Sequence, residues 1–136
     1  MRRLLVLSAA LLLLPACSSS PERNVVVPLP EKVTPRPYSE LLDRARGLAA
    51  RATEVTYVGN WDALSETARN LEQTAVYLEK AVDVPAKHQA TVKTASADLR
   101  KSSRDLLAAS AARNTKKTDD ALTRINRTVR EMKLSD

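Results

Sequence analysis

The chain has 136 residues, with 22 Lys and Arg against 16 Asp and Glu, and a formal charge of +6. It holds one cysteine, one histidine and no phenylalanine, which excludes an intrachain disulfide, a Cys/His metal cluster and covalent Cys-x-x-Cys-His haem attachment. This length supports one domain, whose core has to come from Leu, Val and Ala because the only large rings are Trp61, Tyr38, Tyr57 and Tyr77.

Arg2 and Arg3 give a positive start, Leu4 to Leu14 form an eleven-residue apolar run, and Leu14-Pro15-Ala16-Cys17 sets small residues before the lone cysteine. That is the layout of a cleaved export signal. Crossing the hydrocarbon core takes about 20 apolar residues, so the run addresses the chain and does not span a bilayer. Leu14-Pro15-Ala16-Cys17 resembles the lipobox of bacterial lipoproteins, with Pro15 standing where Ala or Ser is usual. The resemblance covers the signal alone. It implies cleavage after Ala16, acyl chains such as palmitate on the sulfur and amino group of Cys17, and a lipoprotein held at a cell-envelope membrane, facing the periplasm or exterior. Ser18 to Ser20 follow Cys17, where the resembling enterobacterial lipoproteins of the inner membrane tend to carry Asp; that points outward in a cell that has an outer membrane, and leaves inner versus outer membrane open. Two acyl chains turn marginal membrane binding into stable anchoring. On the residues alone, an ordinary secretory signal cut near Ala16, leaving a free thiol, is the alternative.

Removing residues 1–16 takes away Arg2 and Arg3 and leaves 20 basic and 16 acidic side chains, a charge of +4. The halves differ: residues 17–84 carry 8 basic and 10 acidic groups, residues 85–136 carry 12 and 6. Between Ser18 and Pro37 lie five of the seven prolines, Pro21, Pro28, Pro30, Pro35 and Pro37. Such a segment cannot run as helix or central strand, and predicts an extended tether over 17–37. At about 3.1 Å per residue it spans on the order of 60 Å. Val25 to Val27 could dock on the domain as a short strip, and a polyproline ligand for a partner is the other reading of this composition.

From Tyr38 the pattern becomes helical, and the domain is expected over 38–136. Tyr38, Leu41, Ala45, Leu48, Ala52 and Val55 form the first seam, spaced as one face of an amphipathic helix. Gly59 closes that helix and Asn60 caps the next. The second seam runs Trp61, Leu64, Ala68, Leu71, Ala75, Leu78 and Val82, stopping before Val84-Pro85. The third carries Val92, Ala95, Leu99, Ser102, Leu106 and Ala109. A break near Arg113-Asn114-Thr115, without Gly or Pro, leads to a fourth opened by Thr118-Asp119-Asp120 and carrying Leu122, Ile125, Val129 and Met132. Short links favour antiparallel neighbours, so the expected fold is all-α, an antiparallel up-down-up-down four-helix bundle. The alternative runs the first two helices through Gly59 as one rod, since a single glycine costs a helix only about 1 kcal/mol.

Size and expected topology resemble four-helix bundles of the cytochrome c-prime type, without the attachment motif. A non-covalent haem would need ligands such as His88 at the start of the third helix and Met132 at the end of the fourth; this haem-holding or electron-transfer bundle is the second functional reading. The first assigns no cofactor, no metal and no catalytic residue. One histidine, no Gly-x-Ser-x-Gly and no Ser-x-x-Lys leave a serine nucleophile without a base. It is a non-catalytic lipid-anchored interaction or structural module. Its basic face is Arg124, Arg127 and Arg130, three residues apart on one side of the fourth helix. The partners it implies are the membrane, through the anchor, and an anionic envelope surface or acidic protein, not nucleic acid. The bland reading of that face is a solvated surface interleaved with Asp98, Asp105, Asp119, Asp120 and Glu131.

Overall fold

A computed structural model describes residues 27–133. Four helices follow one another: α1 Tyr38–Tyr57, α2 Trp61–Leu78, α3 Gln89–Ala111 and α4 Thr115–Glu131, with one 3₁₀ turn, Ala86–His88, ahead of α3. Among the described residues no strand forms, and the isolated β-bridge pairs Pro37 with Val82. No described helix is long and apolar enough to cross a membrane. Helix α1 packs on α2 and α4, α2 on α3, and α3 on α4, with the α2–α3 contact the broadest. The all-helical packed domain expected from periodicity is the one that forms.

Two of the three links use the same device. At the end of α1, Asn60 N–H donates to Val55 O and Gly59 N–H to Thr56 O, the paired bonds that satisfy the last carbonyls of a helix when the next residue turns left-handed. Gly59 takes φ +70° for this. The Asn60 side chain then accepts from Ala63 N–H at 3.1 Å and caps α2. At the end of α3 the pattern recurs: Asn114 N–H donates to Ala109 O, Arg113 N–H to Ser110 O, and Asn114 accepts from Lys117 N–H at 3.0 Å. Here the left-handed residue is Arg113, φ +49°, which costs an L-residue about 1–2 kcal/mol that glycine avoids. Each asparagine cap contributes about 1 kcal/mol. The chain therefore breaks at Gly59, and α1 and α2 are two helices, not one rod.

Three boundaries differ from expectation. Helix α4 starts at Thr115, three residues before Thr118, because Asn114 supplies the cap; Thr118 is instead buried inside the helix. Helix α2 ends at Leu78, so Val82 leaves the seam: its N–H donates to Arg36 O and its carbonyl accepts from Tyr38 N–H, both at 3.0 Å. Met132 lies just past the end of α4, in extended backbone, yet is fully buried.

Most residues of the expected seams are buried in the core, Val55 and Trp61 only partly, and Leu42, Ala49, Tyr77 and Ala121 join them from outside the seams. Leu41, Leu64, Leu71, Leu99, Leu106 and Ile125 have no exposed surface, and burial of each such side chain stabilises by about 2 kcal/mol. Between them sit hydroxyls. Thr67, Thr74, Ser96 and Ser103 are buried and donate to the carbonyl four residues back, Ala63, Asn70, Val92 and Leu99 respectively. A buried hydroxyl without a partner would cost about 1–3 kcal/mol, and the local bond removes that cost without asking anything of a neighbouring helix.

Tyr38 and Thr118 are exceptions: both are buried and neither hydroxyl has a hydrogen-bond partner among the described residues. Burial pushes the Tyr38 phenol up from its ordinary value, outweighing the lowering pull of Arg46. The fold favours the protonated phenol, so this group's contribution is intact below the ordinary tyrosine value near 10 and is lost as pH rises past it. Tyr38→Phe is expected to stabilise by about 1 kcal/mol in urea unfolding at pH 7 and to flatten the loss of stability above pH ~10. Arg113→Gly is expected to stabilise by roughly 0.5–1 kcal/mol, and Gly59→Ala to destabilise by about 1 kcal/mol. The Gly59 effect is purely conformational, because no heavy atom lies within 4 Å of an added Cβ.

Candidate functional site

The described part of the proline-rich segment lies against the helices. Leu29 is buried, its N–H donates to Gln73 Oε1 at 2.8 Å, and the Gln73 amide donates back to Leu29 O. The Tyr77 hydroxyl reaches Pro30 O at 2.7 Å and Lys32 O at 3.1 Å. Arg44 donates to Val27 O at 2.8 Å and to Thr74 Oγ1 at 3.2 Å. Burial, more than the neighbouring Arg36 charge, lowers the Arg44 pKa from its ordinary value, although it remains a cation at any physiological pH. Proline-rich backbone makes no hydrogen bonds of its own, and helix side chains supply them here. Residues 27–37 thus form a strap over α1 and α2. Within the valine strip considered for docking, Val27 is 71% exposed, and Leu29 is the side chain that inserts; Val25 and Val26 lie outside the described residues.

Two of the clefts on the described bundle bear on the candidate residues. One, of about 740 Å³, sits where α2 gives way to α3, with Leu78, Ala81, Val84, Val92 and Ala97 as its apolar lining and Glu79, Lys80, Asp83, Gln89 and Lys93 around them. Asp83 holds φ +61° there, a conformation that a short polar side chain tolerates. The lining is neutral, two lysines against two acids.

The other, of about 460 Å³, is the groove between α3 and α4, and it receives two of the three basic-face residues. Lys101, Arg124 and Arg127 line it with Asp98, Asp105 and Glu131, so the formal charge of its walls cancels. Arg124 donates to Asp105 at 2.9 Å. Both side chains are over two-fifths exposed, where such a pair contributes under about 1 kcal/mol. Arg130 is exposed and its Nε donates to Asn126 O at 3.1 Å, along its own helix.

Ala16 and Cys17, with the whole signal and lipobox, lie outside the described residues. His88 ends the 3₁₀ turn ahead of α3 and is half-buried. Met132 is fully buried in the core and its carbonyl accepts from Arg46 at 3.4 Å. Neither lines either cleft. Among the described residues no group of three or more His, Cys, Asp or Glu side chains is placed to hold a metal ion. Sequence reasoning missed Arg44, Gln73 and Tyr77 as the strap's partners. The available signal was that Gln73 and Tyr77 lie four apart on one face of α2, next to a proline-rich segment whose carbonyls need donors. Comparison with family models, curated proteins and solved structures found no match for the chain.

Replacing Gln73 with Ala removes both bonds to Leu29. Exchange of the Leu29 amide with deuterium is expected to speed up roughly tenfold, the equivalent of about one hydrogen bond, while core amides such as Leu71 keep their protection.

Proposed function

We propose that the chain is a lipid-anchored, non-catalytic module of the cell envelope, held by acyl chains on Cys17. Its fold is an up-down-up-down bundle that presents its surface to an anionic envelope component or acidic partner. The observation that carries this reading is the Leu4–Leu14 apolar run ending on Leu14-Pro15-Ala16-Cys17. Helix order is supported by cross-helix pairs that descend along α3 as they ascend along α2: Ser65 with Ser110 at 2.8 Å, Glu72 with Arg104 at 2.6 Å, Glu79 with Arg100 at 3.9 Å. The strap supports the role of the proline-rich segment as an anchor's attachment: a chain pulled at Cys17 would load backbone fastened to two helices, not the first turn of α1. The spacer left between Cys17 and the packed residue Leu29 is about twelve residues, or up to roughly 40 Å when extended.

Intact mass spectrometry of the N-terminal peptide tests the anchor. Chain recovered from envelope membranes is expected to begin at Cys17 and to carry acyl groups, and Cys17→Ala to leave the detergent phase for the aqueous one. An N-terminal peptide with an unmodified Cys17 thiol would contradict the reading.

A further inference from the structure

The strap has a direction. Its carbonyls and amides meet their partners in rising order: Leu29 at Gln73, Pro30 and Lys32 at Tyr77, Arg36 at Val82. It therefore runs alongside α2 towards that helix's C-terminal end, and then Tyr38 starts α1. Followed backwards, the chain at Val27 is heading for the opposite end, where Gly59 joins α1 to α2. From Gln73 back to Trp61 the helix rises about 18 Å, and the ten residues from Cys17 to Val27 reach up to roughly 33 Å, so Cys17 can pass beyond this end without a reversal. The other end is nearer, but reaching it requires the chain to double back over the strap.

The end it heads for has an unusual surface. Tyr57 is 93% and Val58 67% exposed, and Trp61 beside them is half-buried. The Ser65–Ser110 hydrogen bond brings the α3–α4 turn to the same end, with Arg113, Lys116 and Lys117 exposed on it. These three make no ion pair among the described residues, and the first turn of α4 holds no acidic side chain. Lysines at a helix N-terminus oppose its dipole, and a left-handed arginine is strained. Strain kept at a surface turn points to a role other than stability. Counting Glu54 and Asp62 across the turn, and Asp119 and Asp120 one turn into α4, this end carries no net positive charge, so apolar contact leads and the three cations at the tip act only locally.

We propose that this end of the bundle is a membrane-facing surface: Tyr57, Val58 and Trp61 seat among the head groups, as aromatic side chains do at bilayer interfaces. Arg113, Lys116 and Lys117 meet the phosphates of anionic lipids. The proposal rests on the anchor reading for delivery of the chain to a bilayer, and it adds an orientation, with the α2–α3 cleft turned away from the membrane and open to a partner.

Trp61 is the chain's only tryptophan and reports on this end. The full acylated chain is reconstituted into phosphatidylcholine vesicles with or without phosphatidylglycerol, and with lipids brominated near the glycerol. Trp61 emission should be quenched, more strongly with phosphatidylglycerol. Quenching should fall severalfold in Tyr57→Ser/Val58→Ser and lose its phosphatidylglycerol dependence in Lys116→Glu/Lys117→Glu. Val82→Ser, at the far end, should leave it unchanged, with helical circular dichroism confirming that each variant folds. Flotation of the same vesicles reads the anchor separately. Chain that floats without quenching overturns the orientation and leaves the anchor standing; chain that neither floats nor is quenched overturns both.

Discussion

Helix α3 turns Ala95, Ser96, Leu99, Ser102, Ser103, Leu106, Ala109 and Ser110 inward, and the rest of the bundle depends on how small most of these are. With no phenylalanine and few large rings, a core this thin fills only if the backbones lie close. The hydrogen bond between Ser65 and Ser110 joins two of the shortest polar side chains across α2 and α3, which only closely packed helices permit. Close packing favours buried hydroxyls satisfied within their own helix, and Ser96 and Ser103 are so satisfied through the carbonyls of Val92 and Leu99. Two large leucines, Leu99 and Leu106, spaced seven apart on the same face, supply most of the apolar area. The small residues between them set how near the neighbour comes.

On the outer side of α1 and α2 lies an extended chain, residues 27–37. This strap inserts one apolar side chain, Leu29, and fixes its backbone through Gln73, Tyr77 and Arg44. Proline suits the role for two reasons: it keeps the segment extended, and it removes amide donors that would otherwise need acceptors of their own. The strap, the direction of the chain at Val27 and the exposed Tyr57-Val58 turn all point the same end of the bundle one way.

Most of the architecture was legible in the sequence, because it rests on a 3.6-residue apolar period that Leu and Ala carry plainly. The first three seams placed most of the buried aliphatic residues of α1 to α3, missing Leu42 and Ala49, and Gly59-Asn60 announced a turn. The α3–α4 turn was harder, since Arg113 does the work that glycine usually does, and the acidic pair Asp119-Asp120 suggested a later start than the cap at Asn114 provides. Buried Thr67, Thr74, Ser96 and Ser103 lie off the expected seams, because a hydroxyl's local bond to the preceding turn leaves no mark on periodicity. The site was less legible. Arg124 and Arg127 read as a positive face along one helix, whereas Asp98, Asp105 and Glu131 complete the groove's walls from α3 and α4, and their charges cancel. The docking of Leu29 and the display of Tyr57 depend on tertiary placement, which a one-dimensional pattern does not record.

The central claim is that the anchor and the fold together set one end of the bundle on the bilayer. Cys17 being consumed by acylation, a nitroxide can be attached to a single introduced thiol at position 116 or at position 83. Its relaxation by nickel chelated to lipid head groups then measures which end lies nearer the membrane. The account predicts strong relaxation for the label at 116 and weak relaxation at 83; equal values, or the reverse order, would contradict it.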